Sequence, residues 1–164
     1  MDQESVLPVA TLVFGILLGY VLDWHKEKRF ETRERKARRV SAQRDTLVEV
    51  QDLAWELHRL QTASQWDVNQ YPKKTGVWPS ADSDDFTVDR ENALAVANTS
   101  ARFALVQSRV DDDEMKGLMR DFNVASRRMS PAPDPESAKK ATNASIQALK
   151  RLNQRALELF QELA

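Results

Sequence analysis

The chain has 164 residues, two histidines, no cysteine and a formal net charge of −1. That inventory excludes a His/Cys zinc site and a cysteine nucleophile, and it agrees with a reducing compartment. With four glycines and 7% aromatic residues, the composition points to helices rather than sheet.

The near-neutral total conceals three regions. Residues 1–22 carry two acids and no base; residues 23–44 carry nine Lys/Arg against four Asp/Glu; residues 45–164 carry fifteen against nineteen. Residues 6–22, VLPVATLVFGILLGYVL, are seventeen positions without a charge. As a helix they cover roughly 26 Å of a ~30 Å hydrocarbon core. Tyr20 and Trp24 stand where an interfacial aromatic belt lies, and Lys26 is placed to snorkel. A signal peptide is a poor fit, because the preceding MDQES has no Lys or Arg and Asp-Trp-His-Lys-Glu-Lys follows. An interfacial helix needs a polar face, which this run lacks. The expectation is a transmembrane helix. Gly15 and Gly19 form a GxxxG pair that allows two such helices to approach closely, as in a homodimer.

Orientation follows from charge. Residues 1–5 have no base, whereas residues 23–40 contain eight, so the N-terminus is expected outside and the body in the cytoplasm, at the inner membrane. Lys26, Lys28, Arg29, Arg33 and Lys36 are the members of this basic collar nearest the expected span, suited to anionic lipid headgroups. Four interleaved acids and the absence of interleaved aromatics argue against nucleic acid as a partner.

From Tyr20 to Tyr71 there is no glycine or proline, so one helix can leave the membrane as a stalk of up to about 78 Å. Residues 23–44 are polar, with Glu31/Arg35 and Glu34/Arg38 at i,i+4. Beyond them Leu47, Val50, Ala54, Leu57 and Leu60 form an apolar stripe at steps of three and four, which predicts the first helix of a bundle in residues 45–164. Residues 64–88 read as a long loop, with Tyr71-Pro72, Gly76, Trp78-Pro79 and an acidic run from Asp82. That run lacks the glycine and glutamate of an EF-hand loop.

A second helix is expected over residues 89–110, with Thr87 as N-cap and Leu94, Ala97, Ala101 and Leu105 as its packing face. Asp111 with Glu114 reads as a capping box ahead of Met115, Leu118, Phe122 and Ala125. Residues 130–134 are a linker. Asp134 followed by Pro135 opens the last helix, whose stripe is Ile146, Leu149, Leu152 or Asn153, Ala156, Phe160 and Leu163. The fold class expected is all-α: a transmembrane helix, a long stalk helix and an antiparallel bundle of about four helices.

Residues 92–110, with Ala101-Arg102-Phe103-Ala104-Leu105-Val106 and the acidic helix start after them, resemble uncharacterised bacterial single-pass membrane proteins with a charged stalk and a small helical domain. The resemblance implies a layout and no activity.

No P-loop, G-x-G-x-x-G or G-x-S-x-G occurs, and Asp111-Asp112-Asp113-Glu114 suits a helix N-terminus better than a metal. No catalytic residue, metal or cofactor is expected, and His58 beside Leu57 and Leu60 reads as a bundle-edge residue. Trp66, Tyr71, Trp78 and Phe86 are the aromatics available to a protein partner, although folding back over the bundle end is the favoured reading. The functional expectation is a non-enzymatic scaffold or adaptor on a membrane anchor. The alternative is an envelope-spanning or lysis-type component with its helical domain outside the cytoplasm.

Overall fold

The computed structural model describes the backbone of residues 3–79, 89–129 and 132–164, and the side chains of Tyr20, Trp24 and, within those ranges, residues 26 onward. Four helices and no strand occur among the described residues: α1 (Gln3–Thr75), α2 (Arg90–Gln107), α3 (Asp113–Arg127) and α4 (Pro135–Glu162). The chain divides into two units, Met1–Ala42 and Gln43–Ala164.

In the first unit every described side chain from Lys26 to Arg39 is exposed. Both expected i,i+4 pairs form, Arg35 with Glu31 at 3.5 Å and Arg38 with Glu34 at 2.5 Å. Among the described residues no helix is long and apolar enough to cross a membrane. The run 6–22 and its Gly15/Gly19 pair have backbone within α1, but apart from Tyr20 their side chains lie outside the described residues.

The second unit is an antiparallel four-helix bundle, whose directions can be read from cross-helix contacts. Arg44, Gln51 and His58 of α1 meet Leu163, Asn153 and Ser145 in turn, so α4 runs against α1. Glu49 pairs with Arg109 while Asn92 bonds Leu60 and Ser64, so α2 also runs against α1. Phe103 packs edge-on to Phe122 with ring centroids 5.7 Å apart, and Gln107 donates to the Lys116 carbonyl, which sets α3 against α2. The stripe read from α1 is buried throughout: Leu47, Val50, Ala54, Leu57 and Leu60. It joins Phe103, Met115, Met119, Phe122, Leu149, Leu152 and Ala156 in one core. Removing such side chains from water supplies about 1.5–3 kcal/mol each.

Helix ends depart from the sequence reading in three places. First, α1 continues past Ser64 through Tyr71-Pro72 to Thr75, so the loop is shorter than residues 64–88. Ser64, Gln65 and Val68 are buried, and Asn92 Nδ2 donates to Ser64 Oγ at 2.7 Å; tertiary packing therefore keeps the turns from Ser64 to Val68 in the helix. The stop comes at Gly76, where φ is +78° and the N–H donates to the Pro72 carbonyl at 2.8 Å. Second, α2 is capped by Asp89, whose carboxylate accepts from the Glu91 N–H; Thr87 lies outside the described residues. Third, α3 is capped by Asp112 rather than Asp111, with Oδ1 accepting from the Met115 N–H at 2.6 Å. Arg155 decides between neighbouring aspartates by gripping the Asp112 carboxylate at 2.8 Å, while the Asp111 N–H faces Gln43. At α4 the Asp-Pro pair acts as read: Asp134 accepts from the N–H groups of Glu136 and Ser137, and Pro135 occupies the first turn.

The largest correction is the face of α2. Leu94 and Leu105, expected to pack inward with Ala97 and Ala101, are 56% and 70% exposed, and both alanines are exposed. The buried residues are Thr99, Phe103 and Val106, followed by Val110 beyond the helix. Two apolar stripes compete on this helix, and the one carrying the large ring wins because it fills space against Phe122 that alanines would leave empty.

Candidate functional site

Three surfaces and one buried polar chain carry whatever chemistry the described residues offer. The first surface belongs to the basic collar. Arg29, Arg33 and Lys36 recur at steps of four and three on one side of α1, with Lys28 and Thr32 beside them. Glu27, Glu31 and Glu34 recur at the same steps on the opposite side, and Arg35 and Arg38 are committed there. Charge along this segment is therefore segregated into a mixed face and a base-only face, the latter suited to phosphate groups. Lys26 is also exposed, and Lys28 Nζ stands 4.2 Å from the ring centroid of Trp24, itself exposed like Tyr20.

The second surface is the outward side of α1 in the bundle. Val48, Trp55, Thr62 and Trp66 follow one another at steps of seven, seven and four, and all are exposed on the side away from Leu47, Val50 and Leu57. Trp55 is 56% and Trp66 65% exposed. The aromatic loop expected as one cluster is thus divided. Trp66 sits on the helix and faces solvent, while Tyr71 is half-buried at the end of α1. Trp78 folds back with Nε1 donating to the Ala132 carbonyl at 2.9 Å, and Phe86 lies outside the described residues. Trp55 was not singled out by sequence reasoning, although its offset of seven from Val48 marks it as sharing that side of the helix.

The third surface is a groove of about 600 Å³ between the C-terminal half of α1, the outer side of α2 and the end of α3. Ala93, Ala97, Ala101 and Ala104 form one wall, and Gln61, Ser126 and Arg127 stand opposite. Gln61 is only 4% exposed, yet its Oε1 has no hydrogen-bond partner. Asn123, one turn before Arg127, likewise keeps Oδ1 unpartnered.

The polar chain crosses the core. His58 Nδ1 lies 3.3 Å from Ser145 Oγ, which lies 3.3 Å from Ser126 Oγ; both serines are fully buried. Burial lowers the His58 pKa below its ordinary value and so favours the neutral ring. A serine nucleophile must meet its substrate, and Ser145 is sealed between helices, so the chain joins three helices rather than forming a catalytic pair. At the other end of the bundle Arg155 bonds Asp112, Glu114, Glu158 and Glu162, linking the start of α3 to the end of α4. This network holds the Asp112 carboxyl below the usual carboxylate range, chiefly through the Arg155 hydrogen bond. Among the described residues no group of three or more His, Asp or Glu side chains is placed to hold a metal ion.

No protein-family model matches the chain, and neither a curated protein nor a solved structure shows detectable similarity to it.

Proposed function

We propose that the protein is a membrane-anchored, non-enzymatic adaptor whose helical bundle presents a docking surface to a protein partner in the cytoplasm. The observation that carries this reading is the pair Trp55 and Trp66, exposed along one outward stripe of α1 with Val48. Tryptophan dominates binding energy when a partner buries it, and soluble surfaces seldom leave two on one stripe. Their helix is held by an extensive core, so the rings are presented on a rigid element.

The anchor in this reading is the charge-free run 6–22, with Gly15 and Gly19 pairing two copies and Tyr20 and Trp24 at the interface. Lys26, Lys28, Arg29, Arg33 and Lys36 contact anionic headgroups, a role supported by the base-only face they help to form. The distribution of Lys and Arg supports a cytoplasmic body.

Two measurements test the proposal. A C-terminal tag protected from protease in intact cells, and retained in the membrane pellet through an alkaline wash, is expected. Cleavage once only the outer envelope is permeabilised would refute the orientation. In parallel, cross-linking in native membranes is expected to capture one protein with the unaltered chain and to lose it with the double substitution W55A/W66A. Identical capture by both chains would refute the docking surface.

A further inference from the structure

The outward side of α1 repeats with a period that its own bundle does not use. Asp52 and Arg59 complete the tryptophan stripe, so that Val48, Asp52, Trp55, Arg59, Thr62 and Trp66 follow at steps of four, three, four, three and four. All six are exposed. An alternation of four and three is the seven-residue repeat by which one helix packs along another. The inward side of α1 shows the same alternation from Leu47 to Leu57, and there it is buried in the core. The outer seam is about 27 Å long and carries both exposed tryptophans of the second unit.

The charges on this seam select its occupant. Arg59 lies between the two tryptophans, and among the described residues no ion pair or ring contact engages it; Asp52 has no ion pair either. Laid parallel and in register on a second copy, the seam sets Asp52 on Asp52 and Arg59 on Arg59, and like charges in contact repel. Reversed and centred on Leu57, the same seam complements itself. Each Trp55 then meets the second copy's Arg59, each Val48 meets its Trp66, and each Asp52 meets its Thr62. The pair is two-fold symmetric, so every contact forms twice. A free guanidinium reaches an indole face, and Val48 and Trp66 leave water together. Reversal also disperses the acids. Asp45, Glu49, Asp52 and Glu56 border the first half of the seam, while Arg59, the one Lys or Arg between residues 45 and 72, lies in the second.

We infer that the occupant of this face is a second copy of the chain, packed antiparallel along residues 48–66. The inference rests on the Trp55/Trp66 stripe being a docking surface and names what docks there. It is separate from the Gly15/Gly19 pair: two chains enter this seam from opposite ends, whereas a parallel glycine pair is entered from one end, so the two contacts join different neighbours. A helix pair of this length is at the small end of specific interfaces, and the association is transient.

The chain has no cysteine, so introduced thiols report the pairing without background. Full-length chains carrying D52C alone or T62C alone are oxidised in dodecyl maltoside micelles, separately and mixed. Both positions are exposed. Disulfide dimers are expected about tenfold more abundant in the mixture than in either chain alone, because only the antiparallel seam brings position 52 within bonding distance of position 62. Adding R59Q to both chains is expected to lower the yield about tenfold, and adding W55A/W66A to abolish it, with the circular dichroism spectrum unchanged. Efficient dimers of D52C alone or T62C alone would reveal a parallel pair and overturn the inference. A mixture without disulfide, or a yield indifferent to R59Q and W55A/W66A, would overturn it too. Cross-linking in native membranes separates this failure from that of the docking surface. A different protein, captured by the unaltered chain and lost with W55A/W66A, leaves the surface standing with another occupant; capture indifferent to W55A/W66A removes the surface itself.

Discussion

Replacing Phe103 by alanine, and separately Leu105 by alanine, asks which side of α2 is the inside of the protein. Phe103 is 2% exposed and packs edge-on against Phe122, with an interplanar angle of 67°. Truncating a buried phenylalanine removes its transfer free energy, leaves a cavity and breaks the aromatic pair, for a total of about 3–5 kcal/mol. Leu105 lies two residues on, faces water, and its removal is expected to change stability by less than about 0.5 kcal/mol. Domains of this size hold about 5–15 kcal/mol in all, so F103A loses a large fraction while L105A is nearly silent. Urea unfolding of the full chain, followed by tryptophan fluorescence and circular dichroism, reads the difference. With a slope of roughly 2 kcal/mol per molar, F103A shifts the midpoint down by about 2 M and L105A hardly at all. Comparable shifts, or a larger one for L105A, would refute the assignment of the buried face, and with it the groove built on the exposed one.

Three further expectations follow from single sites. Because burial lowers the His58 pKa, the unfolded chain takes up that proton first; stability is full above about pH 6.5 and falls as pH drops through that value. The urea midpoint is therefore lower at pH 5.5 than at pH 7.5, and an unchanged pH response in H58Q would refute the link. The Asp112 carboxyl has a depressed pKa, so its contribution is present above about pH 4 and is lost as pH falls through the folded value. D112A should cost about 1 kcal/mol at pH 7 through the lost helix cap, whereas D112N keeps the cap and flattens the acid limb of the stability profile; equal acid limbs in wild type and D112N would count against it. Finally, G76A and G117A should act in opposite directions in thermal melts. Gly76 has φ +78°, where a Cβ costs about 1 kcal/mol, while a Cβ at Gly117 meets only Arg120 at 3.9 Å and gains about 0.5–1 kcal/mol of helix propensity. The same sign at both glycines would refute this account.

What local chemistry determines is legible in the chain itself. Leu47, Val50, Ala54, Leu57 and Leu60 recur at helical spacing, and all five are buried. Asp134-Pro135 offers an acceptor and a preset φ where a helix starts, and α4 starts there. Glu31/Arg35 and Glu34/Arg38 pair because one turn of helix brings them together whatever else the protein does. Tertiary structure alone decided the rest, and the reason is the same each time: two local solutions of similar merit were separated by a partner distant in sequence. Asp111 and Asp112 are equivalent caps until Arg155, forty-three residues beyond Asp112, grips one of them. The segment from Ser64 reads as the start of a loop until Asn92 ties down the turn containing Ser64. The two stripes of α2 are balanced until Phe122 offers its ring to Phe103, which turns Leu94, Leu105 and the alanines outward. The groove opposite Gln61 and Arg127 follows from that choice, and no pattern within α2 announces it.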